Sequence, residues 1–174
     1  MSRAKRDIAA DETEAILRHW REAVPNDRLA HLVRDTARAF GRALQSRLAE
    51  HGVSFGHWTF LRILWERDGI TQAELSITAG VMEPTTFAAL KVMERNGYVE
   101  RRQTPDNRKK VYVHLTPKGR ALKAALVPLA EDVNRVAVAG LGAADLVRTR
   151  AALLAMVANL AADDVEAVAV RRGR

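Results

Sequence analysis

Cationic side chains concentrate in one stretch of this sequence. Residues 98–120 hold seven Lys and Arg residues against two acids, in a chain whose net charge is +7. The densest part is Arg108, Lys109 and Lys110, which follow Asp106 in a polar turn. Guanidinium and ammonium groups so spaced bind phosphates, and an arginine at a hairpin tip suits a narrow, electronegative minor groove. We predict DNA contacts for these cations, while Asp106 either orients Arg108 or only forms the turn.

Polar side chains also stand at the starts of two predicted helices. Thr71 opens a capping box with Glu74, and Pro84 follows Glu83 in the first turn of the next helix, where proline is tolerated. Hydroxyl groups at a helix start reach either DNA or their own backbone, so local capping is the alternative for the threonines. The candidate DNA contacts on these helices are Thr71, Gln72, Pro84, Thr85, Thr86 and Lys91.

The residues of several enzyme and metal sites are missing from the sequence. There is no cysteine, and no two of the five histidines have a close helical metal spacing. We find no glycine-rich phosphate loop, nucleophile elbow or His-Glu-x-x-His pattern. The sequence therefore predicts no catalytic residues, no cofactor and no metal.

Hydropathy bears on where the chain works. The first ten residues carry scattered charges without an apolar core, unlike a signal peptide. No apolar run approaches the roughly 20 residues that span a bilayer. We expect a cytoplasmic protein with no membrane partner.

The helices and strands that must position these residues follow from hydrophobic spacing. After a long amphipathic helix, a second helix is capped by Ser54, a short third ends at Gly80, and a fourth starts at Glu83. The buried face of the fourth helix is predicted to hold Phe87, Leu90 and Met93. Alternating residues on both sides of a turn at 104–107 predict a β-hairpin, and two long helices follow. The expected fold is mainly α with a small β-hairpin wing, a winged helix-turn-helix domain with N- and C-terminal dimerisation helices.

These elements divide the chain into regions with different tasks. The apolar stripes of the first, fifth and sixth helices are wider than one DNA-reading head could cover, which predicts a homodimer. The predicted regions are an N-terminal extension (1–25), a helical dimerisation region (26–52 and 116–165), the winged helix-turn-helix DNA-binding domain (53–115) and a basic C-terminal tail (166–174).

Several segments resemble the multiple-antibiotic-resistance regulator (MarR) family. They are 58–64, Thr71-Gln72-Ala73-Glu74-Leu75, 93–101, Asp106-Asn107-Arg108-Lys109-Lys110 and Leu115-Thr116-Pro117-Lys118-Gly119. The resemblance covers roughly residues 27–160, and its wing signature is Asp-x-Arg followed by basic residues. It implies a bacterial-type transcription regulator that binds double-stranded DNA as an obligate homodimer, with a triangular helical body. It also implies repression that is relieved by a small-molecule effector, often an aromatic acid.

The resemblance further implies an effector crevice between the dimerisation helices and the DNA-reading lobe. Four aromatic or imidazole side chains are candidates for lining it. They are Phe40, His57, Trp58 and Trp65. The alternative is that the two tryptophans are ordinary core residues.

One position departs from the family pattern. Members of the family often carry Arg or Lys near the middle of the recognition helix, where this chain has Ala88. The helix is also neutral, because Lys91 and Arg95 balance Glu83 and Glu94. The leading hypothesis is an operator-binding repressor released by an effector. A non-specific architectural DNA-binding protein, or an interaction dimer that has lost DNA binding, is the alternative.

Overall fold

The computed structural model describes residues 14–18, 20, 29–104 and 107–172, with side chains described up to 103 and again from 110 to 163. The chain divides into two compact units, Met1–Val133 and Asn134–Arg174. The elements of the first unit are α1 (Leu29–Ala49), α2 (Phe55–Glu66), β1 (Ile70–Thr71), α3 (Gln72–Ala79), α4 (Glu83–Arg95), β2 (Val99–Thr104), β3 (Asn107–Leu115) and most of α5 (Pro117–Ala137). The second unit holds the end of α5 and α6 (Ala143–Arg172). The expected mainly helical fold with a small antiparallel hairpin is confirmed.

Local capping sets where α2 and α3 begin and end. The Ser54 side chain accepts a hydrogen bond from the His57 amide at 3.2 Å, which satisfies one of the unpaired donors of α2. Thr71 and Glu74 form the predicted reciprocal capping box at the start of α3. Gly80 ends α3 in the left-handed region, with φ of 66°, and turns the chain into α4.

The three strands form an antiparallel sheet in the order β1-β3-β2. Two-residue β1 pairs Ile70 with Val113, while β2 pairs Val99 with Leu115 and continues to the hairpin end. A register shift at Gln103 marks the approach to the turn. The long β3 therefore joins the helix-turn-helix to the outer strand of the wing.

The hydrophobic core lies beneath α3 and α4. Leu90 and Met93 are fully buried on the inner face of α4, as the hydrophobic spacing predicts. The other large side chains that are fully buried are Leu48, Leu61, Leu64, Leu75 and Leu126. Phe87 was also expected in this core but is 48% exposed, so that part of the prediction is wrong. The core supports the inner side of α4 and leaves its outer side free.

The start of α5 is anchored to the junction between α4 and β2. The Thr116 hydroxyl donates to the Gly97 carbonyl at 2.6 Å, and the Trp65 indole donates to the Gly119 carbonyl at 2.9 Å. Gly119 packs so closely that a Cβ there would lie 2.0 Å from the Tyr98 carbonyl oxygen. These contacts hold the base of the wing against α2 and α5.

Apolar side chains remain exposed in both units. On α1 they are Leu29, Leu32 and Val33. In the second unit they are Val136, Leu141, Val147, Leu153, Leu154, Val157 and Leu160. Of the helices in the described part of the chain, none combines the length and apolar character needed to cross a bilayer.

Candidate nucleic-acid interface

The outer face of α4 carries the residues available to a partner. A helix turns about 100° per residue, so residues 84, 88, 91 and 95 form one stripe along it. All four side chains, Pro84, Ala88, Lys91 and Arg95, are exposed, and Thr85 is exposed beside them. The buried Leu90 and Met93 lie on the opposite side, which places this stripe outward.

Thr86 does not belong to this outer face. Its side chain is fully buried, and its hydroxyl pairs with the Ser76 hydroxyl at an oxygen–oxygen distance of 2.8 Å. Ser76 is also buried and lies 2.9 Å from the Gln72 carbonyl oxygen. The prediction that Thr86 contacts DNA is therefore wrong, because its side chain packs between α3 and α4 and sets how the two helices meet.

The start of α3 lies beside the wing. The Thr71 side chain caps the helix, which is the alternative that the sequence offered to a DNA contact. The hydrogen bond from its hydroxyl holds the pKa of the Glu74 carboxyl below its usual range. Gln72, Glu83 and Lys110 line a cavity of about 190 Å³ next to this cap. The cavity brings the starts of both helices together with Lys110, the first cation of β3 whose side chain is described.

The hairpin is described up to its end but not around its turn. Lys110 is exposed on β3, which begins at Asn107. The side chains of Arg108 and Lys109 lie outside the described residues, as does all of Asp106. The DNA contacts predicted for Arg108 and Lys109, and the role predicted for Asp106 at the turn, therefore stay predictions.

A network that the sequence analysis missed joins α4 to β2. The Arg101 guanidinium donates to the Glu94 carboxylate at 2.6 and 2.9 Å, and the Arg101 amide donates to the same carboxylate at 3.0 Å. The guanidinium also lies 5.1 Å from the centre of the Phe87 ring. Its hydrogen bonds hold the pKa of Glu94 below its usual range. Glu94 lies in a helix and Arg101 in the strand after the next turn, so helical periodicity could not predict that the two side chains pair.

The four candidate effector residues lie on α1 and α2, and Phe40, Trp58 and Trp65 lie in or against the core. The Trp58 and Trp65 rings pack edge to face with centroids 5.6 Å apart, and Trp58 is buried. Phe40 is half-buried against the same cluster. His57 is half-buried, and burial lowers its pKa. Its Nδ1 atom is buried and has no hydrogen-bond partner among the described residues. Effector binding by these residues stays a prediction.

Metal-binding geometry is absent from the described residues. They contain no cluster of three or more His, Asp or Glu side chains that could hold an ion.

Comparison with known proteins places this arrangement in a family. The family model described as MarR family matches residues 53–111, from the start of α2 into β3. Residues 53–111 are of the MarR type. This confirms the resemblance, and the MarR proteins matched here are transcriptional regulators rather than enzymes.

Two curated relatives share the MarR-type region with this chain. The HTH-type transcriptional regulator TtmR of Methylorubrum extorquens is 36% identical over 110 residues, which are 63% of this chain and 56% of that protein. The homoprotocatechuate degradative operon repressor of Escherichia coli is 30% identical over 89 residues, 51% of this chain and 58% of that protein. The matched region thus spans little more than half the length of these relatives.

A solved MarR structure agrees with the fold over a longer stretch. The MarR family transcriptional regulator of Listeria monocytogenes, complexed with a 26mer DNA, has a TM-score of 0.70 and is 26% identical. The alignment covers 79% of this chain and 91% of that protein. The likeness therefore extends beyond the region that the family model matches.

Proposed function

We propose that this chain binds duplex DNA in the cytoplasm as a homodimer and regulates transcription at a palindromic operator. The observation that carries the proposal is the exposed stripe of α4 beside a cationic hairpin, with Lys110 exposed on β3. We assign the DNA-reading head to residues 53–115. The 26mer DNA in the related Listeria complex supports the choice of partner.

The shape of α4 and the wing suits two adjacent grooves. A helix with one side anchored and the other exposed fits the major groove, where base edges are presented. Lys91 and Arg95 lie along the exposed stripe, where they add positive charge next to the phosphates. In this arrangement Arg108 at the hairpin end enters the neighbouring minor groove. Lys109, Lys110 and Gln72, at the start of α3, lie close to phosphates.

Exposed apolar side chains support the homodimer. Leu29, Leu32 and Val33 are exposed on α1, and five apolar residues of α6 are exposed in the second unit. A monomer would leave these surfaces in water, whereas pairing with a second copy removes them. We assign dimerisation to residues 26–52 and 116–165. A two-fold dimer sets its two α4 helices about 34 Å apart, one turn of the duplex.

We further propose that a small aromatic acid releases the repressor. The Escherichia coli relative is named for an operon that degrades homoprotocatechuate, which is itself an aromatic acid. Phe40, Trp58 and Trp65 offer ring faces, and His57 offers a nitrogen without a partner among the described residues. A ligand there shifts the equilibrium only if it binds the DNA-competent and incompetent states with different affinities.

The neutral recognition helix favours a second candidate function. Lys91 and Arg95 are offset by Glu83 and Glu94, so the net charge of α4 adds little to affinity. An architectural protein would bind most duplexes alike through phosphates. Competition with random duplex separates the two functions, because a regulator prefers its operator by about a thousandfold or more.

Selection of bound duplexes from a random pool tests the proposal directly. We expect enrichment of one palindrome, and loss of binding when the matching aromatic acid is added. Arg108→Ala should weaken operator binding and lower the salt slope by about one. Lys123→Ala removes an exposed cation on α5 to which we assign no DNA contact, and it should leave the slope unchanged. A pool without enrichment would overturn the operator model.

A further inference from the structure

We propose that α4 reads the methyl groups of thymine, so that each operator half-site carries thymines where Pro84 and Ala88 meet the major groove. The inference rests on the proposed DNA-binding function and specifies what its recognition helix recognises.

The first two turns of the exposed stripe are apolar. Pro84 and Ala88 lie one above the other on it, and both are exposed. Met82, the residue before α4, is 76% exposed and makes no capping hydrogen bond with its side chain. The charged members of the stripe, Lys91 and Arg95, come only in the later turns. The end of the helix that enters a groove first therefore offers carbon atoms.

Few polar side chains near that end are available to a base. Thr86 is buried against Ser76. Glu83 is exposed and, like Lys110, lines the cavity beside α3, while Glu94 lies in the last turn of α4 and accepts from Arg101. This leaves the Thr85 hydroxyl as the side-chain donor at the start of the exposed face, beside the Glu83 carboxylate. One hydroxyl does not supply the paired hydrogen bonds by which arginine reads guanine or asparagine reads adenine.

The chemistry of the groove then selects the base. Among the groups that the four bases present in the major groove, the C5 methyl of thymine is the apolar one. An exposed Ala or Pro side chain gains by covering it, since both surfaces leave water. Burial of one methyl group corresponds to about a fourfold gain in affinity. In a palindrome the same thymines occur in both half-sites, and each protomer reads those of one half-site. Several such contacts would distinguish an operator from other duplexes.

Replacing thymine by uracil isolates this effect. Uracil keeps every hydrogen-bonding group and lacks only the methyl, so each thymine of the selected operator is replaced in turn and binding by the full chain is measured. We expect about a fourfold loss of affinity at one or two positions in each half-site. 5-Methylcytosine in place of cytosine at a neighbouring position tests whether a methyl alone adds affinity.

Two variants connect the methyl group to α4. The Ala88→Gly variant should bind with equal affinity to the duplex that has thymine at the affected position and to the duplex that has uracil there. The comparison is made within one variant, so any cost of glycine to the helix cancels. Lys91→Ala should weaken binding to both duplexes and keep the difference between them.

The outcomes separate this inference from the function beneath it. An operator that is selected and bound, yet tolerates uracil at every position, overturns methyl recognition and leaves operator binding standing. Uracil sensitivity that persists in Ala88→Gly at all positions also overturns the assignment to α4. Failure to bind any duplex overturns the proposed function itself.

Discussion

Arg101 of β2 and Glu94 of α4 are joined by three hydrogen bonds to one carboxylate, at distances of 2.6 to 3.0 Å. The pair is largely shielded from water, with side chains 21% and 30% exposed. Since Arg101 lies in the outer strand of the hairpin and Glu94 in the last turn of α4, the pair fixes the angle between the two. In the proposed complex, the wing and α4 would then approach the duplex as one unit.

Removing this carboxylate should weaken both stability and DNA binding. Glu94→Gln keeps the size of the side chain but removes the charge that accepts these bonds, and we expect a loss of about 1–3 kcal/mol in the free energy of unfolding. Chemical denaturation measures that loss. Operator affinity should fall while the salt slope stays unchanged, because no phosphate contact is removed.

The control is an acid on β2, the strand that carries Arg101. Glu100 pairs with Arg102 in a much more exposed position, so Glu100→Gln should cost well under 1 kcal/mol. Equal losses in the two variants would show that the Glu94–Arg101 pair is no more than a surface ion pair.

Adjacent threonines on α4 should separate stability from recognition. Thr86→Val keeps the shape of the side chain but removes the hydroxyl that pairs with Ser76, and we expect a loss of about 1 kcal/mol in unfolding free energy. Thr85→Val changes an exposed hydroxyl, so it should leave unfolding unchanged and alter operator affinity. Denaturation curves paired with binding titrations check both. A stable Thr86→Val protein with altered operator preference would restore Thr86 as a DNA contact.

Gly119 should be intolerant of any side chain. A Cβ there would lie 2.0 Å from the Tyr98 carbonyl oxygen, so Gly119→Ala forces the backbone of α5 away from Tyr98, and we expect a cost of about 1–3 kcal/mol. Gly56→Ala is the matched variant, since the nearest atom there is 4.0 Å away and alanine favours a helix. Thermal unfolding compares them. If Gly119→Ala unfolds at the same temperature as the wild type, the close approach of Gly119 to Tyr98 is not present in solution.

His57 should make stability depend on pH in mildly acid solution. Burial lowers its pKa below the usual 6.5, so the unfolded chain binds the proton more readily than the folded one. Stability from this residue is complete above pH 6.5 and is lost as the pH falls from there toward the lowered pKa. His57→Phe should flatten the unfolding free energy between pH 7.5 and 5.5, whereas the exposed His51→Gln should not. A wild-type slope in His57→Phe would contradict the assignment.

Local signals predicted the framework better than they predicted the exposed face. The Thr71–Glu74 capping box and the left-handed Gly80 depend on residues within one turn, so their types alone located α3. The burial of Thr86 depends on Ser76 of the preceding helix, and spacing within α4 could not reveal it. Two neighbouring positions, both threonine, thus have opposite environments.

Long-range pairing explains the second failure. Phe87 matches the apolar pattern of α4 as well as Leu90 does, yet it lies under the Arg101 guanidinium on the flank facing β2. That position is decided by where the strand returns, which hydropathy does not encode. The cationic motif at 106–110 is recognisable from sequence alone, because its residues are consecutive.

The indole pair of α2 gives this chain an intrinsic spectroscopic probe. Trp58 and Trp65 are two of three tryptophans in the chain, and Trp65 donates its N–H to the Gly119 carbonyl at the start of α5. Indole emission changes with neighbouring polar groups and rings, so Trp20→Phe would leave two fluorophores, of which Trp65 makes this contact and Trp58 packs against Trp65. Rearrangement between α2 and α5 would then change the emission of unlabelled protein.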